Sequence, residues 1–349
     1  MRSLNPDYLK SLSFSAQDLG TIREIGANRG RQDLFKRQTP ETLQTLLTHA
    51  IIESSESSNR LEGIVAPRSR IEGLVRRDAK PRNRSEQEIA GYRDGLRLTH
   101  ESHAGMEFTP NLILQLHSRL YGYLPQPGGT WKAVDNEITE RDSRTGEQVV
   151  RFKPLAAVAV PHAMEDLCSG FRKELLEAHG EPLVLIPLSL LDFLCIHPFA
   201  DGNGRISRLL TLLLLYRSGY EVGRYISLER VFEDARDGYY ETLYASSQGW
   251  HDGKHDAMPW VRYFWGVLLK AYGEFEDRVG SLGTHKGAKS DFVRQAVLAR
   301  IGDFTTGNIV NDCPGVNRNT VKAVLQSMRK EGLLLSKGKG RGANWELAK

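Results

Sequence analysis

The sequence predicts a mainly α protein built as two bodies, with β structure confined to two hairpins. Three observations carry this reading. Helix-start signals recur up to Val279, strand-type alternation appears in only two short stretches, and a Gly- and Ser-containing break without apolar periodicity, GSLGTHKGAKS, falls between Val279 and Asp291. With 349 residues, 40% apolar and 26% charged, the chain has the make-up of an ordinary globular protein with room for a large core and an accessory body.

In chain order, Leu43, Leu46, Leu47, Ile51 and Ile52 are spaced to bury one face of a helix. Ser85-Glu86-Gln87-Glu88 has capping-box spacing and opens a helix through Tyr92 and Leu96. Thr109-Pro110 places a capping hydroxyl before a proline at the first helical position, with Leu112, Leu114, Leu116 and Leu120 following. Between Ala133 and Phe152, Val134, Ile138, Val149 and Val150 flank the turn-forming segment 142–146, which reads as a hairpin. Pro161 opens a helix with Met164, Leu167, Phe171 and Leu175 on one face, Leu209 to Tyr216 reads as a buried helix, and Pro259 opens a long apolar one. The expected organisation is an N-terminal helical region (1–80), a core (81–279), a linker (280–290) and a C-terminal body (291–349).

Several function classes are excluded or left without support. Lys and Arg number 47 against 43 Asp and Glu, a net charge of +4 too mild to imply nucleic acid unless it is concentrated. Cys168, Cys195 and Cys313 are odd in number, far apart and without metal-ligand spacing, so neither a disulfide framework nor a zinc site is expected. A reducing cytoplasm is the natural setting. The first residues, MRSLNPDYLKSL, lack an apolar signal core, and the run from Leu209 to Tyr216 falls short of the ~20 residues that span a bilayer, so no membrane association is expected.

The segment His197 to Arg208, HPFADGNGRISR, joins a histidine beside a proline, a Gly-Asn-Gly loop and a helix starting at about Arg205. Glycines at 202 and 204 let successive backbone N–H groups face one concave point, and the helix behind adds its unpaired first-turn donors and the positive end of its dipole. Polyphosphate fits such a site. Arg205 and Arg208 fall on one helix face and can both reach a phosphate chain, Asp201 can hold the magnesium that accompanies ATP, and His197 has the proton affinity of a general base. No other phosphate-loop or dinucleotide signature is present.

HPFADGNGRISR matches every fixed position of H-P-F-x-D/E-G-N-G-R-x-x-R, and on this segment the chain resembles Fic-domain proteins. The resemblance implies a helical Fic fold and transfer of AMP from ATP to a Ser, Thr or Tyr hydroxyl of a target protein, or of the enzyme itself. His197 is then the base, Asp201 the Mg²⁺ ligand, Gly202, Asn203, Gly204 and Arg205 the phosphate cradle, and Arg208 the partner of the γ-phosphate. Tyr239 and Tyr240 fall where similar proteins place a tyrosine pair near the adenine, and the asparagine that often follows eight residues later is Ser247 here. The hairpin ending at Phe152-Lys153-Pro154 resembles the flap on which Fic enzymes align a target segment by strand addition.

Ser58-Asn59-Arg60-Leu61-Glu62-Gly63 matches the S/T-x-x-x-E-G/N inhibitory motif of Fic proteins whose autoinhibitory helix precedes the core. Ser58, Glu62 and Gly63 would form a brake. Glu62 near a helix C-terminus is disfavoured by the dipole, which a pairing with Arg208 would offset while occupying the guanidinium that should hold the γ-phosphate. Glu72-Gly73 is a second Glu-Gly, with Arg68 in place of the upstream Ser or Thr.

Beyond the linker, Phe292 to Ile301, Thr306 to Asp312 and Val316 to Lys330 read as three helices, with Pro314-Gly315 as a turn and Leu333 to Leu347 as a hairpin around a glycine-rich tip. This resembles a winged helix-turn-helix. Arg318, Lys322, Lys339 and Arg341 put positive charge on the third helix and wing, which points to DNA. The alternative for this body is a homodimer or target-docking platform. For the whole chain the rivals are a DNA-binding regulator whose Fic core senses nucleotide and a Fic-fold phosphotransferase. Relatives of the latter carry lysine where Gly204 stands here.

Overall fold

A computed structural model describes residues 2–38, 40–77, 79–141, 147–177, 180–280, 288–298, 300, 303–313, 316–337 and 344–348. In chain order the elements are α1 (Pro6–Ser11), α2 (Ala16–Gln38), α3 (Pro40–Leu61), α4 (Arg68–Arg77), α5 (Arg84–Ser102), α6 (Pro110–Leu120), β1 (Ile138–Arg141), β2 (Gln148–Phe152), α7 (Val160–Leu176), α8 (Pro182–Ile196), α9 (Asn203–Arg217), α10 (Leu228–Asp234), α11 (Arg236–Ser247) and α12 (Met258–Gly280). A second group follows: α13 (Ala288–Leu298), β3 (Phe304–Thr305), α14 (Thr306–Asp312), α15 (Arg318–Lys330), β4 (Leu334–Lys337) and β5 (Asn344–Leu347). The protein is mainly α, as the sequence predicts.

Local chemistry sets the helix starts. Thr109 Oγ1 accepts the Leu112 N–H at 3.2 Å, with Pro110 in the first turn of α6. α5 begins earlier than its expected box: Asn83 is the cap, its Oδ1 accepting the Glu86 N–H at 2.9 Å, and Ser85 lies inside the first turn. Glu86 is held instead by Arg70, at 2.7 and 2.8 Å.

The large core centres on α8 and α9, which are buried on nearly every side. Pro187 interrupts α8 and lacks the N–H that would bond to the Leu183 carbonyl. Trp265 Nε1 donates to that oxygen at 2.8 Å, and Trp260 Nε1 donates to the Pro187 carbonyl at 2.8 Å, so α12 satisfies the broken ladder from outside. One continuous apolar core includes Leu4, Ile25, Leu46, Leu61, Leu210 and Phe264. α2 joins it partly through Asp18, which accepts two hydrogen bonds from Arg262 of α12, each 2.9 Å.

The second group has its own core of Val293, Val297, Ile309, Val321, Leu325, Met328 and Trp345, among others. Its antiparallel sheet runs β3-β5-β4, with Ser336 opposite Trp345 and Phe304 opposite Trp345 on the other side. β3, two residues long, is absent from the sequence-based expectation. Thr305 and Asn308 form a reciprocal capping box that starts α14. Arg318 and Lys322 are exposed on α15, whereas Lys339, Arg341, the glycine-rich tip, Pro314-Gly315, most of the expected linker (281–287) and the flap turn (142–146) lie outside the described residues. Among the described residues no helix is long and apolar enough to cross a membrane.

Candidate active site

The loop between α8 and α9 is built around two left-handed residues. α8 ends where His197 turns to φ 51°, ψ 63°, the only positive φ at a non-glycine among the described residues, and its N–H bonds to the Phe193 carbonyl at 2.9 Å. Gly202 adopts φ 87° and caps α9 without any side-chain hydrogen bond, so the first-turn N–H groups of α9 receive no capping side chain. Asn203 clasps the loop from the helix: its Oδ1 accepts the Phe199 N–H at 2.9 Å and its Nδ2 donates to the Phe199 carbonyl at 2.8 Å. Its side chain shapes the loop and leaves only its backbone free to face a ligand.

His197 Nδ1 lies 3.3 Å from the Leu194 carbonyl, which orients the ring with Nδ1–H as donor and leaves the Nε2 lone pair as the basic site. Burial pulls its pKa down to about 4, partly offset by that hydrogen bond, with Lys132 adding to the depression. The imidazole is therefore neutral at pH 7, the form a proton acceptor needs.

Two buried cations stand behind the loop. Arg205 and Arg208, expected from their spacing to reach one phosphate chain, have separate partners. Arg205 is 1% exposed and donates to Glu88 of α5 at 2.6 Å and to Asp201 at 3.3 Å. It points into the protein. Arg208 is 2% exposed and donates to the Ser58 hydroxyl at 2.8 Å, to the Ser58 carbonyl at 2.8 Å and to Glu62 Oε1 at 2.7 Å. Burial works most strongly against the charge of Arg208, but the Glu62 carboxylate together with the Tyr239 and Tyr92 side chains outweighs it and holds its pKa above the ordinary value.

Ser58 lies in the last turn of α3, Glu62 just past its end, and Gly63 follows in the left-handed region at φ 75°, which a residue with a Cβ adopts only at a cost. The motif residues thus sit together at the tip of a helical hairpin formed by α3 and α4. The look-alike Glu72 has other neighbours, Arg68 at 3.6 Å and Arg300 at 3.6 Å.

A cavity of about 630 Å³ opens beside this constellation and is lined by His197, Gly204, Arg208, Glu62, Tyr239 and Tyr240, and by Ile138, Thr139, Arg151 and Phe152 of the hairpin. Tyr239 is 4% exposed and packed against Trp260 and Phe232, so most of its ring is core, whereas Tyr240 is 40% exposed and donates to the Leu61 carbonyl at 3.2 Å. Ser247 also lines the cavity. The hairpin borders it in register Ile138↔Phe152 and Thr139↔Val150, anchored by Arg151 over the Tyr244 ring at 4.2 Å and by Phe152 stacked on His251. Val149 and Val150 are about half exposed on β2.

Asp201 stands at the lip, its side chain 63% exposed. Burial of its surroundings would raise its pKa, but Arg205, the Tyr121 hydroxyl at 2.9 Å and the Gly202 N–H at 2.7 Å together hold it below the ordinary value. It is an ionised oxygen donor facing solvent. Among the described residues no cluster of three or more His, Cys, Asp or Glu could cage a metal. One carboxylate supplemented by phosphate oxygens is how Mg²⁺ is commonly held, so the donor set fits a magnesium ion that arrives with a nucleotide.

Several residues that shape the site carry no sequence signal of their own. His117 of α6 accepts the Gly129 N–H at Nδ1 (2.8 Å), lies 3.1 Å from the Asp201 carbonyl through Nε2, and stacks on Phe199 with centroids 3.8 Å apart. Lys132 is 5% exposed, donates to Asn136 at 2.8 Å and receives the loop through its backbone N–H to the Pro198 carbonyl, 2.8 Å. Glu88, noted only as part of a capping box, holds Arg205.

Residues 107–215 match the Fic/DOC family. Protein adenylyltransferase fic-1 of Caenorhabditis briggsae is 26% identical over 252 residues, which cover 70% of this chain and 40% of that protein. Protein adenylyltransferase Fic of Nematostella vectensis is 24% identical over 233 residues, 63% of this chain and 48% of that one. The chain thus spans less than half the length of these two curated relatives. Among solved structures, a Fic family protein from Desulfovibrio desulfuricans G20 has a TM-score of 0.62 at 20% identity, covering 96% of this chain and 97% of that one. A Fic domain containing signaling protein from Bacteroides thetaiotaomicron has a TM-score of 0.62 at 21% identity, over 74% of this chain. Residues 107–215 thus form a Fic/DOC-family segment that ends just beyond the α8–α9 loop, within a helical architecture shared with these solved Fic structures.

Proposed function

We propose that the protein is an adenylyltransferase that moves AMP from ATP onto a Ser, Thr or Tyr hydroxyl of a target protein. The observation that carries this reading is the half-buried, neutral His197 beside the uncapped N-terminus of α9, both on one cavity. Gly202 to Arg205 would receive the phosphates through backbone N–H groups, which need no side chain and favour anions. Arg208 would take the γ-phosphate once Glu62 leaves it. Tyr240, half open to the cavity, would face the adenine, and the β1–β2 hairpin would align the target segment by strand addition.

His197 Nε2 accepts the proton of the target hydroxyl. The oxygen forms a bond to the α-phosphorus, the bond from that phosphorus to the oxygen bridging to the β-phosphorus breaks, and pyrophosphate leaves with the electron pair. Arg205, held by Glu88, fixes Asp201 in place. Asp201 would hold a magnesium ion, which when bound neutralises charge on the leaving phosphates.

The test is label transfer. ATP labelled at the α-phosphorus should mark protein, ATP labelled at the γ-phosphorus should not, and His197→Ala should reduce transfer by about 10²- to 10⁴-fold while nucleotide still binds. Label from the γ position alone would instead identify a phosphotransferase.

A second reading adds a DNA contact. Exposed Arg318 and Lys322 near the start of α15, and the three helices plus antiparallel sheet of the C-terminal body, support a winged helix that meets the phosphate backbone.

A further inference from the structure

The turn that carries Glu62 is the tip of the α3–α4 hairpin, and both arms of that hairpin meet the C-terminal body at one residue. Asp312, at the end of α14, is 4% exposed. Its Oδ1 accepts from Nη2 of Arg76 on α4 at 3.2 Å and lies 3.5 Å from Nε2 of His49 on α3. Its Oδ2 accepts from Arg300 Nε at 2.8 Å, and Arg300 in turn stands 3.6 Å from Glu72 of α4. A carboxylate this buried is unfavourable without partners, so its cations hold it, and two of the side chains around it belong to the hairpin.

The grip is asymmetric. His49 Nε2 is buried without a hydrogen bond, and burial lowers its pKa and keeps the ring neutral, so the α3 side of the contact is held by proximity rather than by a directed bond or a charge. From His49 the helix runs unbroken to Leu61, a rise of about 18 Å at 1.5 Å per residue. A continuous helix transmits a change at its base to its end, where Ser58 and Glu62 hold Arg208.

Resting on the reading of Glu62 as the brake of an adenylyltransferase, we propose that the C-terminal body is a clamp on the inhibitory hairpin, with Asp312 as its contact point. The brake is then set by two bodies: Glu62 occupies Arg208, and Asp312 keeps the hairpin seated so that Glu62 stays there. Loosening the clamp frees Arg208 without touching any group of the catalytic cavity.

The experiment uses the full chain. Asp312→Asn should raise the initial rate of AMP transfer by about fivefold or more, the low end of typical intersite coupling, and should speed hydrogen exchange across residues 49–61. In a Glu62→Gly background the same substitution should add nothing, because no brake is left to release. Arg76→Gln, which removes one partner and leaves Asp312 with Arg300, should act in the same direction and serves if Asp312→Asn does not fold. Rates and exchange equal to the parent in a folded variant would overturn the clamp, as would an equal rise in the Glu62→Gly background. If Glu62→Gly itself transfers no AMP, the adenylyltransferase reading fails, while the exchange of residues 49–61 still decides whether Asp312 seats the hairpin.

Discussion

The Glu62 carboxylate lies directly over Gly204, so closely that a Cβ at residue 204 would meet Oε1 at 2.2 Å. Glu62 therefore stands both on Arg208 and on the first turn of α9, the two places proposed for phosphate. Glu62→Gly should raise the initial rate of AMP transfer at saturating Mg-ATP by about 10- to 10³-fold, since it frees a buried guanidinium and unblocks the helix end. Ser58→Ala, which removes one of three contacts to Arg208, should raise it less. A Glu62→Gly rate equal to the parent would remove Glu62 from the mechanism.

Arg205 should behave as a structural residue. Removing one member of a buried ion pair commonly costs about 3–5 kcal/mol, so Arg205→Ala should lower the midpoint of thermal unfolding clearly, leaving the buried Glu88 with only its contact to the exposed Arg84. Unchanged thermal unfolding would show that Arg205 is a free phosphate ligand after all.

Stability should fall on acidification before the carboxylates titrate. Burial pulls His100 to about 3, and His117 and His197 to about 4. Unfolded, each takes up a proton near 6.5. Below that value the unfolded chain binds more protons than the folded one, so the stability present above about pH 6.5 is lost as pH falls toward about 4, by up to about 1.4 kcal/mol per pH unit for each histidine. Urea midpoints measured at about pH 7.5 and pH 5 should differ in that direction. Equal midpoints would mean these imidazoles are protonated in the fold.

Binding of duplex DNA to the full chain should weaken steeply with salt, by about 0.9 log unit per log unit of salt for each phosphate neutralised. Arg318→Glu with Lys322→Glu should weaken it across sequences. No binding by the parent at low salt would leave the C-terminal body as a protein-contacting module.

Much of this site was legible because its chemistry is contiguous. HPFADGNGRISR writes histidine, loop and helix end in twelve successive letters, and SNRLEG writes the partners of Arg208 in six. What surrounds them was not legible. Glu88, His117 and Lys132 reach the loop from α5, α6 and the segment before β1, and no local spacing announces a partner that distant in sequence. α8 was missed because a helix buried all round has no apolar stripe to find, and Pro187 argues against it until Trp260 and Trp265 are seen donating to its carbonyls. Capping at Asn83 rather than Ser85 followed from a choice between neighbouring acceptors, which only the backbone angle at 83 decides. The pairing of Arg208 with Glu62 follows from two motifs, but the separate fate of Arg205 depends on Glu88.

The left-handed turn at His197 has a consequence for selection. An L-residue with a side chain gives up about 1–2 kcal/mol to sit there, a cost glycine does not bear. A library sorted for thermal endurance alone would drift toward glycine at 197 and, with His197 as the proposed base, deliver sturdier, silent proteins. Keeping the imidazole at that corner is thus a standing concession of robustness to chemistry, visible in one backbone angle.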